Sequence, residues 1–242
     1  MSVFYGELAP LWPLISPVEE YTDEAAFFAK VLLQRLQPGA RVLELGCGGG
    51  HNAFHLKKHF ELTLTDLSDA MLAQSALLNP ECAHHRGDMR TLDLGRTFDA
   101  VFVHDAVDSM TTTDELAQAM ATAFRHLAPG GLALFVPDVF LESFEPATES
   151  GGADGADGRS VRYLEWTHPL EPDSTSGVVD YGFLVREADG SARVFHDRQR
   201  FGVFPRSTWL DLLVEEGFEA EVIPEETADD RPPRSLLLAT RR

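Results

Sequence analysis

The chain has 242 residues, 44% of them hydrophobic and 24% charged, with a formal net charge of −19. That length can bury one core and carry an insertion, while so acidic a surface excludes a protein built to neutralise nucleic-acid phosphates. No apolar run reaches the roughly 18 residues of a membrane span, and MSVFYGELAPLWP lacks the basic start and apolar stretch of a signal peptide.

In chain order, residues 1–20 carry aromatics and prolines and read as a short helix in an irregular arm. From Thr22 to Leu36 the apolar positions Ala25, Phe28, Ala29, Leu32, Leu33 and Leu36 recur at helical spacing, and Pro38-Gly39 ends that helix. RVLEL (41–45) reads as a buried strand, Gly46–Gly50 as a loop and Asn52–His59 as a helix. A strand (61–68), a helix (69–78) and a short strand ending at Gly87-Asp88-Met89 follow. FDAVFVHDA (98–106) is the next strand, 114–127 a helix stopped by PGG, and LALFVPDV (132–139) the fifth strand. Strand and helix alternate five times, which predicts a Rossmann-like α/β fold. Its seven-stranded mixed sheet is mostly parallel with an antiparallel last strand, and helices cover both faces.

The texture changes after residue 140. ESGGADGADGRS (149–160) lacks apolar periodicity and reads as a mobile loop or lid; it lacks the EF-hand spacing calcium would need. Three alternating stretches then predict a small antiparallel β insertion, with ADG (188–190) as a hairpin turn. The expected organisation is a core of 1–139 and 205–242 interrupted by an inserted region, 140–204. Ser207 is the expected cap of a helix ending at Gly217, and two strands, 218–223 and 235–240, close the chain across an acidic, proline-containing loop. Cys47 and Cys82 are the only cysteines, too few for a disulfide scaffold or a zinc site, so the expected compartment is a reducing cytoplasm.

The segment LELGCGGGHN (43–52) carries the chemistry. A bare turn between strand and helix lets backbone N–H groups approach a ligand. A dinucleotide loop needs GxGxxG, and here Gly46 and Gly48 are followed by His51 where the third glycine belongs. Gly50 instead completes Glu44-x-Gly46-x-Gly48-x-Gly50. Asp66 ends the second strand, and a carboxylate about 20 residues beyond the first loop glycine can accept from ribose hydroxyls. No Lys or Arg lies between Val42 and Leu56, and Glu44 would oppose a pyrophosphate.

With Gly87-Asp88-Met89, DAVFVHDA and HLAPGGLALFV in order behind it, this pattern resembles the class I S-adenosylmethionine (SAM)-dependent methyltransferases, over roughly residues 40–137. The resemblance implies SAM as cofactor and S-adenosylhomocysteine as product. It places Glu44 at the amino-acid end of SAM, with His51 able to donate to the methionine carboxylate, and makes Gly46, Cys47, Gly48 and Asn52 cofactor-binding residues of the same loop. Asp66 falls at the ribose, Leu67 and Met71 along the ribose and adenine, and Gly87, Asp88 and Met89 at the adenine. His51 and Asn52 stand where the family more often has small or hydroxyl residues. Tyr5, Tyr21 and the Phe4–Pro13 arm resemble the N-terminal segment that folds over the cofactor in small-molecule members, including deoxysugar amine N,N-dimethyltransferases.

Transfer from a sulfonium is an in-line displacement, so alignment and exclusion of water are the main tasks. A hydroxyl acceptor needs a base, and an amine must arrive neutral or lose a proton. The candidates at the C-terminal end of the fourth strand are His104, also adjacent to the cofactor, with Asp105 and Asp108 orienting it or the acceptor. The insertion offers Arg162, Tyr163, Glu165, Trp166, His168 and Arg200 for the acceptor. In RYLEWTH, alternation puts Arg162, Leu164 and Trp166 on one face and Tyr163, Glu165 and Thr167 on the other. One face is expected to roof the pocket and the other to meet solvent or a second subunit. No set of metal ligands can be assembled, so a metal-independent N- or O-methyltransferase acting on a small natural-product, sugar or amine acceptor is expected. An NAD(P)-dependent oxidoreductase and an inactive cofactor-binding protein are the alternatives.

Overall fold

The runs RVLEL and AVFV lack polar alternation because both faces of their strands are covered. The structure, a computed structural model, describes residues 2–172, 174–226 and 234–242. The arm leads through α1 (Trp12–Ile15) to α2 (Thr22–Leu33) and β1 (Arg41–Leu45). Next come α3 (His51–Leu56), β2 (Glu61–Asp66), α4 (Asp69–Leu78), β3 (Ala83–Arg86), β4 (Phe98–His104), α5 (Thr113–Arg125) and β5 (Leu127–Val136). Four strands follow, β6 (Thr148–Gly151), β7 (Ser160–Thr167), β8 (Ser176–Arg186) and β9 (Ala192–Gly202), and then α6 (Arg206–Glu216), β10 (Phe218–Pro224) and β11 (Ser235–Arg241).

Seven strands form one sheet in the order β10-β11-β5-β4-β1-β2-β3. β1 to β5 are parallel, and β11 runs antiparallel to both its neighbours. This is the mixed Rossmann-like sheet expected from the sequence. Alternate residues feed opposite layers. Leu43, Leu45, Val101, Val103 and Phe135 meet Met120 of α5 and Trp209 and Leu213 of α6. Val42, Leu64, Phe102 and Leu134 meet Phe28 and Leu32 of α2 and Ala53 of α3. Chain order reverses between the adjacent strands β1 and β4, so the loops leaving them splay apart and leave a crevice at their C-terminal ends.

β6 to β9 form a separate antiparallel sheet. A third cluster ties it to the arm: Phe4, Leu8, Leu11 and Ile15 pack on Val161, Phe183 and Val185. Phe4 N–H donates to Asp197 Oδ2 at 3.0 Å, and Ser2 Oγ reaches the same carboxylate. The arm is therefore the layer between the second sheet and the crevice.

Several elements differ from expectation. Residues 149–160 are not an unpaired loop: β6 pairs with β7, and Asp154 bridges Ser160, because backbone pairing needs no apolar periodicity. Ser207 lies inside α6, whose cap position is Pro205; proline pre-sets the entry angle there without a side-chain cap. The second strand stops at Asp66 because Ser68 caps α4. Ser68 Oγ accepts from Met71 N–H at 3.2 Å. The PGG turn lies within β5 at a register shift, with Gly130 at φ 79° inside the irregularity. Most of the acidic loop between the last two strands, 227–233, lies outside the described residues.

Candidate active site

The loop after β1 is fixed by backbone bonds. The N–H groups of Gly46 and Cys47 both donate to the Thr65 carbonyl at 2.8 Å, and Gly50 N–H donates to the Cys47 carbonyl at 2.8 Å. Gly46, Gly48 and Gly50 have φ of 76°, 53° and 78°, a region side-chain-bearing residues avoid. A methyl on Gly46 would also enter the side chain of Ala106, and one on Gly50 would enter Ser75 and Asn79. Asn79 Nδ2 donates to the Gly50 carbonyl at 2.9 Å, bracing the loop from α4. Cys47 is buried, its thiol pushed up by burial and by Glu44.

Asp66, at the end of the neighbouring strand β2, lies directly against this loop. Oδ2 accepts from Gly48 N–H at 2.9 Å and Oδ1 from Ser68 N–H at 2.8 Å. Each oxygen keeps a lone pair for a further donor. Burial raises its pKa, against the pull of those amides. Glu44 is 3% exposed and its Oε2 has no hydrogen-bond partner among the described residues. Burial lifts its pKa to about 8; His104 pulls it down and Asp66 pushes it up. A buried, unpaired carboxylate oxygen is costly alone and suits a cationic ligand. Leu67 is 57% exposed beside Asp66, an open apolar surface for a flat ring, and Met71 is buried beneath the loop.

Other predicted residues cluster less tightly. Gly87 leaves room for Leu92, and Met89 packs near Gly46. Asp88 is held by Arg90, 2.6 Å from its guanidinium, which lowers the carboxyl's pKa. The arm covers the loop: Trp12 lies against Gly49, and Ser68 Oγ donates to the Tyr5 carbonyl at 2.6 Å. Tyr21 stands edge-on to His51 at 5.2 Å, its hydroxyl 2.8 Å from Ser16 Oγ. Burial lowers the His51 pKa to about 4, so it is a neutral ring at neutral pH. Asn52 does not turn to the loop; its Nδ2 donates to Glu24 Oε1 at 3.2 Å.

Beyond β4 and β5 lies a charged floor. His104 is 7% exposed, with Nδ1 3.1 Å from Asp105 Oδ2 and Nε2 3.3 Å from Glu24 Oε1. Asp108 Oδ2 accepts from Asp138 N–H at 2.8 Å. Their recessed position and the charge of Asp138 push both Asp105 and Asp108 well above the usual carboxylate range. Arg234, its side chain 10% exposed, reaches Glu24, Asp105, Asp138 and Glu225. Glu24, Asp138, Glu225 and Arg234 escaped sequence reasoning. Glu24 reads as a first-turn helix acid, and the rest converge only through sheet order.

The second sheet divides the acceptor candidates. Tyr163 and Glu165 face inward, where Tyr163 packs against the arm cluster and burial lifts Glu165 to a pKa of about 7, helped by Glu149 and Asp138. Arg162, Trp166, His168 and Arg200 lie on the outer face, away from the crevice. Arg162 pairs with Asp154, His168 with Asp180, and Arg200 donates to Ser176 Oγ at 2.6 Å. Two surface depressions of about 310 and 340 Å³ also lie on that outer face.

The orphaned Glu44 oxygen, the glycine cradle and open Leu67 fit a phosphate-free cationic nucleoside. A mostly parallel sheet with this crevice, glycine loop and strand-end carboxylate suits a nucleoside cofactor, and similar proteins are methyltransferases. The profile of a methyltransferase-domain family matches residues 42–131. A SAM-bound amino pentose methyltransferase from Micromonospora echinaspora is 30% identical with a TM-score of 0.75, over 92% of each chain. The sugar N-methyltransferase of Streptoalloteichus sp ATCC 53650 superposes with a TM-score of 0.81 at 28% identity, over 92% of this chain and 88% of its own. The dTDP-3-amino-3,4,6-trideoxy-alpha-D-glucopyranose N,N-dimethyltransferase of Streptomyces venezuelae is 28% identical over 85% of this chain and 86% of its own. The chain belongs to the class I SAM-dependent methyltransferases. It is an enzyme with SAM as its cofactor, and its relatives include deoxysugar N,N-dimethyltransferases.

Proposed function

We propose that the enzyme methylates the amino nitrogen of a small, sugar-like acceptor without a metal ion. The observation that carries this reading is the convergence of Asp105, Asp108 and Asp138 beyond β4 and β5, next to the cofactor loop. An ammonium is attracted to that floor. The names of the amino-sugar relatives point the same way.

SAM, when bound, would supply an electrophilic methyl on its sulfonium, to which the acceptor's lone pair would bond while the S–CH3 electron pair stays on sulfur. The chain's residues prepare that event. Gly46 to Gly50, Glu44 and Asp66 hold the cofactor, with Leu67 and Met71 along its nucleoside. The arm, with Tyr5 and Tyr21, excludes water. Tyr163 and Glu165 line the acceptor side. An amine arriving as ammonium must lose a proton first. Asp105 is the better acceptor of it, because 41% of its side chain is open against 9% for His104, and burial and the neighbouring Asp138 raise its pKa. His104 lies between Glu24 and Asp105, its ring nitrogens 3.3 and 3.1 Å from their carboxylate oxygens, and Asp108 fixes the Asp138 backbone.

We also read the outer face of the second sheet as a contact between two copies. Trp166, Leu184 and Val194 are 51%, 52% and 78% exposed there. Arg162 and Arg198 stand on the same face as Asp180, a self-complementary mix suited to a two-fold interface. The free thiols Cys47 and Cys82 suit a reducing cytoplasm.

Asp105→Asn tests the reading. Turnover is expected to fall about 100-fold with adenosylhomocysteine affinity within about threefold of wild type. Unchanged turnover removes Asp105 from the chemistry. EDTA is expected to leave the rate unchanged, and its loss with recovery on adding magnesium contradicts the metal-free reading.

A further inference from the structure

The guanidinium of Arg234 joins residues from four elements. NH2 lies 2.8 Å from Glu24 Oε2 on α2, and NH1 lies 3.3 Å from Asp105 Oδ1 and 3.0 Å from Asp138 Oδ1, beyond β4 and β5. Nε lies 3.0 Å from Glu225 Oε2, just after β10. Glu24 and Asp105 also turn their other oxygens to the two nitrogens of His104. The contacts close a ring, His104–Glu24–Arg234–Asp105, and both carboxylates flanking the imidazole are held by one planar fork. A guanidinium presents several donors in fixed directions, which one ammonium cannot reproduce.

We propose that Arg234 is a positioning residue of the methyl transfer, holding Asp105 in the orientation and charge state in which it takes the acceptor's proton. The inference rests on the reading of Asp105 above. Asp105 is faced by Glu24 from α2, Asp138 from beyond β5, Tyr5 and Tyr21 from the arm, and its neighbours His104 and Asp108. Arg234 supplies a permanent positive charge among these described groups. Asp138 and Glu24 push the Asp105 pKa up and Arg234 pulls it down. Without Arg234 the carboxyl holds its proton to higher pH, so the rising limb of the rate profile moves upward. Asp105 Oδ1 also loses its contact with the guanidinium, so kcat suffers more than binding.

The experiment compares wild type, Arg234→Met and Arg234→Lys on whichever acceptor the wild type methylates, amine or hydroxyl. Arg234→Met is expected to lower kcat about 100-fold and to move the rising limb up by about one pH unit. Adenosylhomocysteine affinity stays within about threefold, and Arg234→Lys recovers about tenfold of the loss. A fall in rate with an unmoved profile and no recovery by lysine means a structural role only and overturns the proposal, as does an unchanged rate. If Arg234→Met does not fold, Glu24→Gln and Arg234→Lys carry the test. Carboxyl NMR of aspartate-labelled protein bound to adenosylhomocysteine gives a readout free of turnover. Asp105→Asn assigns the Asp105 signal, which must titrate higher in the Arg234 variant. An Asp105→Asn enzyme with wild-type kinetics overturns the base reading, while an Asp105 titration unmoved by loss of Arg234 overturns this one.

Discussion

At the residue scale, Glu44 shows how burial prepares a site. An unfolded glutamate titrates near pH 4.3, whereas the folded residue titrates at about 8. Between those values the unfolded chain is ionised and the folded one keeps its proton. The unfolded state then binds fewer protons, and stability falls as pH rises from about 4.5 to about 8. Glu44→Gln removes that liability. The ligand-free variant is expected to melt several degrees above wild type at pH 8, for about 2 kcal/mol, with the gap closing below about pH 4.5. Its adenosylhomocysteine affinity falls at least about tenfold. Paired melting curves and calorimetry check both; a variant less stable at pH 8 that binds normally contradicts the assignment. The acid was legible from its place in the glycine pattern, and the unpaired oxygen was not, because pairing depends on neighbours in other strands.

At the element scale, the glycine loop and the arm act as one unit. Three left-handed glycines let the chain turn tightly enough for Gly48 N–H to reach Asp66. Gly46→Ala is expected to abolish cofactor binding and destabilise the fold by more than about 1 kcal/mol, because strain at positive φ adds to collision with Ala106. Gly39→Ala, also at positive φ but facing open space, carries the strain alone and keeps binding. Equal binding by both variants, measured by calorimetry, contradicts the close packing assigned to Gly46. Gly49→Ala is different again: its methyl meets the Trp12 ring, so it should weaken cofactor retention with little change in melting temperature. The spacing of strands, helices and loop glycines was legible from residue order alone. The cap of α6 and the pairing of β6 were not. A proline can start a helix without a side-chain cap, and a glycine- and acid-rich edge strand pairs through its backbone.

At the scale of the whole molecule, a parallel sheet brings the ends of β1, β2 and β4 together, and the arm carries the second sheet over them. Alternation along β7 was legible, but which face turned inward was not. That depended on Phe4, Leu8 and Ile15 supplying the apolar partner for Val161 and Phe183. The opposite face keeps Trp166 and Val194 in water, so Trp166→Asp is expected to convert a dimer to a monomer in analytical ultracentrifugation with folding intact. A wild type that is monomeric at every concentration contradicts the two-copy reading. Selection of an amine by a carboxylate floor beside a SAM loop is the claim on which the rest depends. Its most direct test is product analysis after incubation with SAM and paired sugar nucleotides differing only in an amino or hydroxyl group at one carbon. The expected product carries methyl on nitrogen, matched one for one by adenosylhomocysteine, with none formed from the hydroxyl twin. Methyl on oxygen, or turnover of the hydroxyl twin alone, would contradict it.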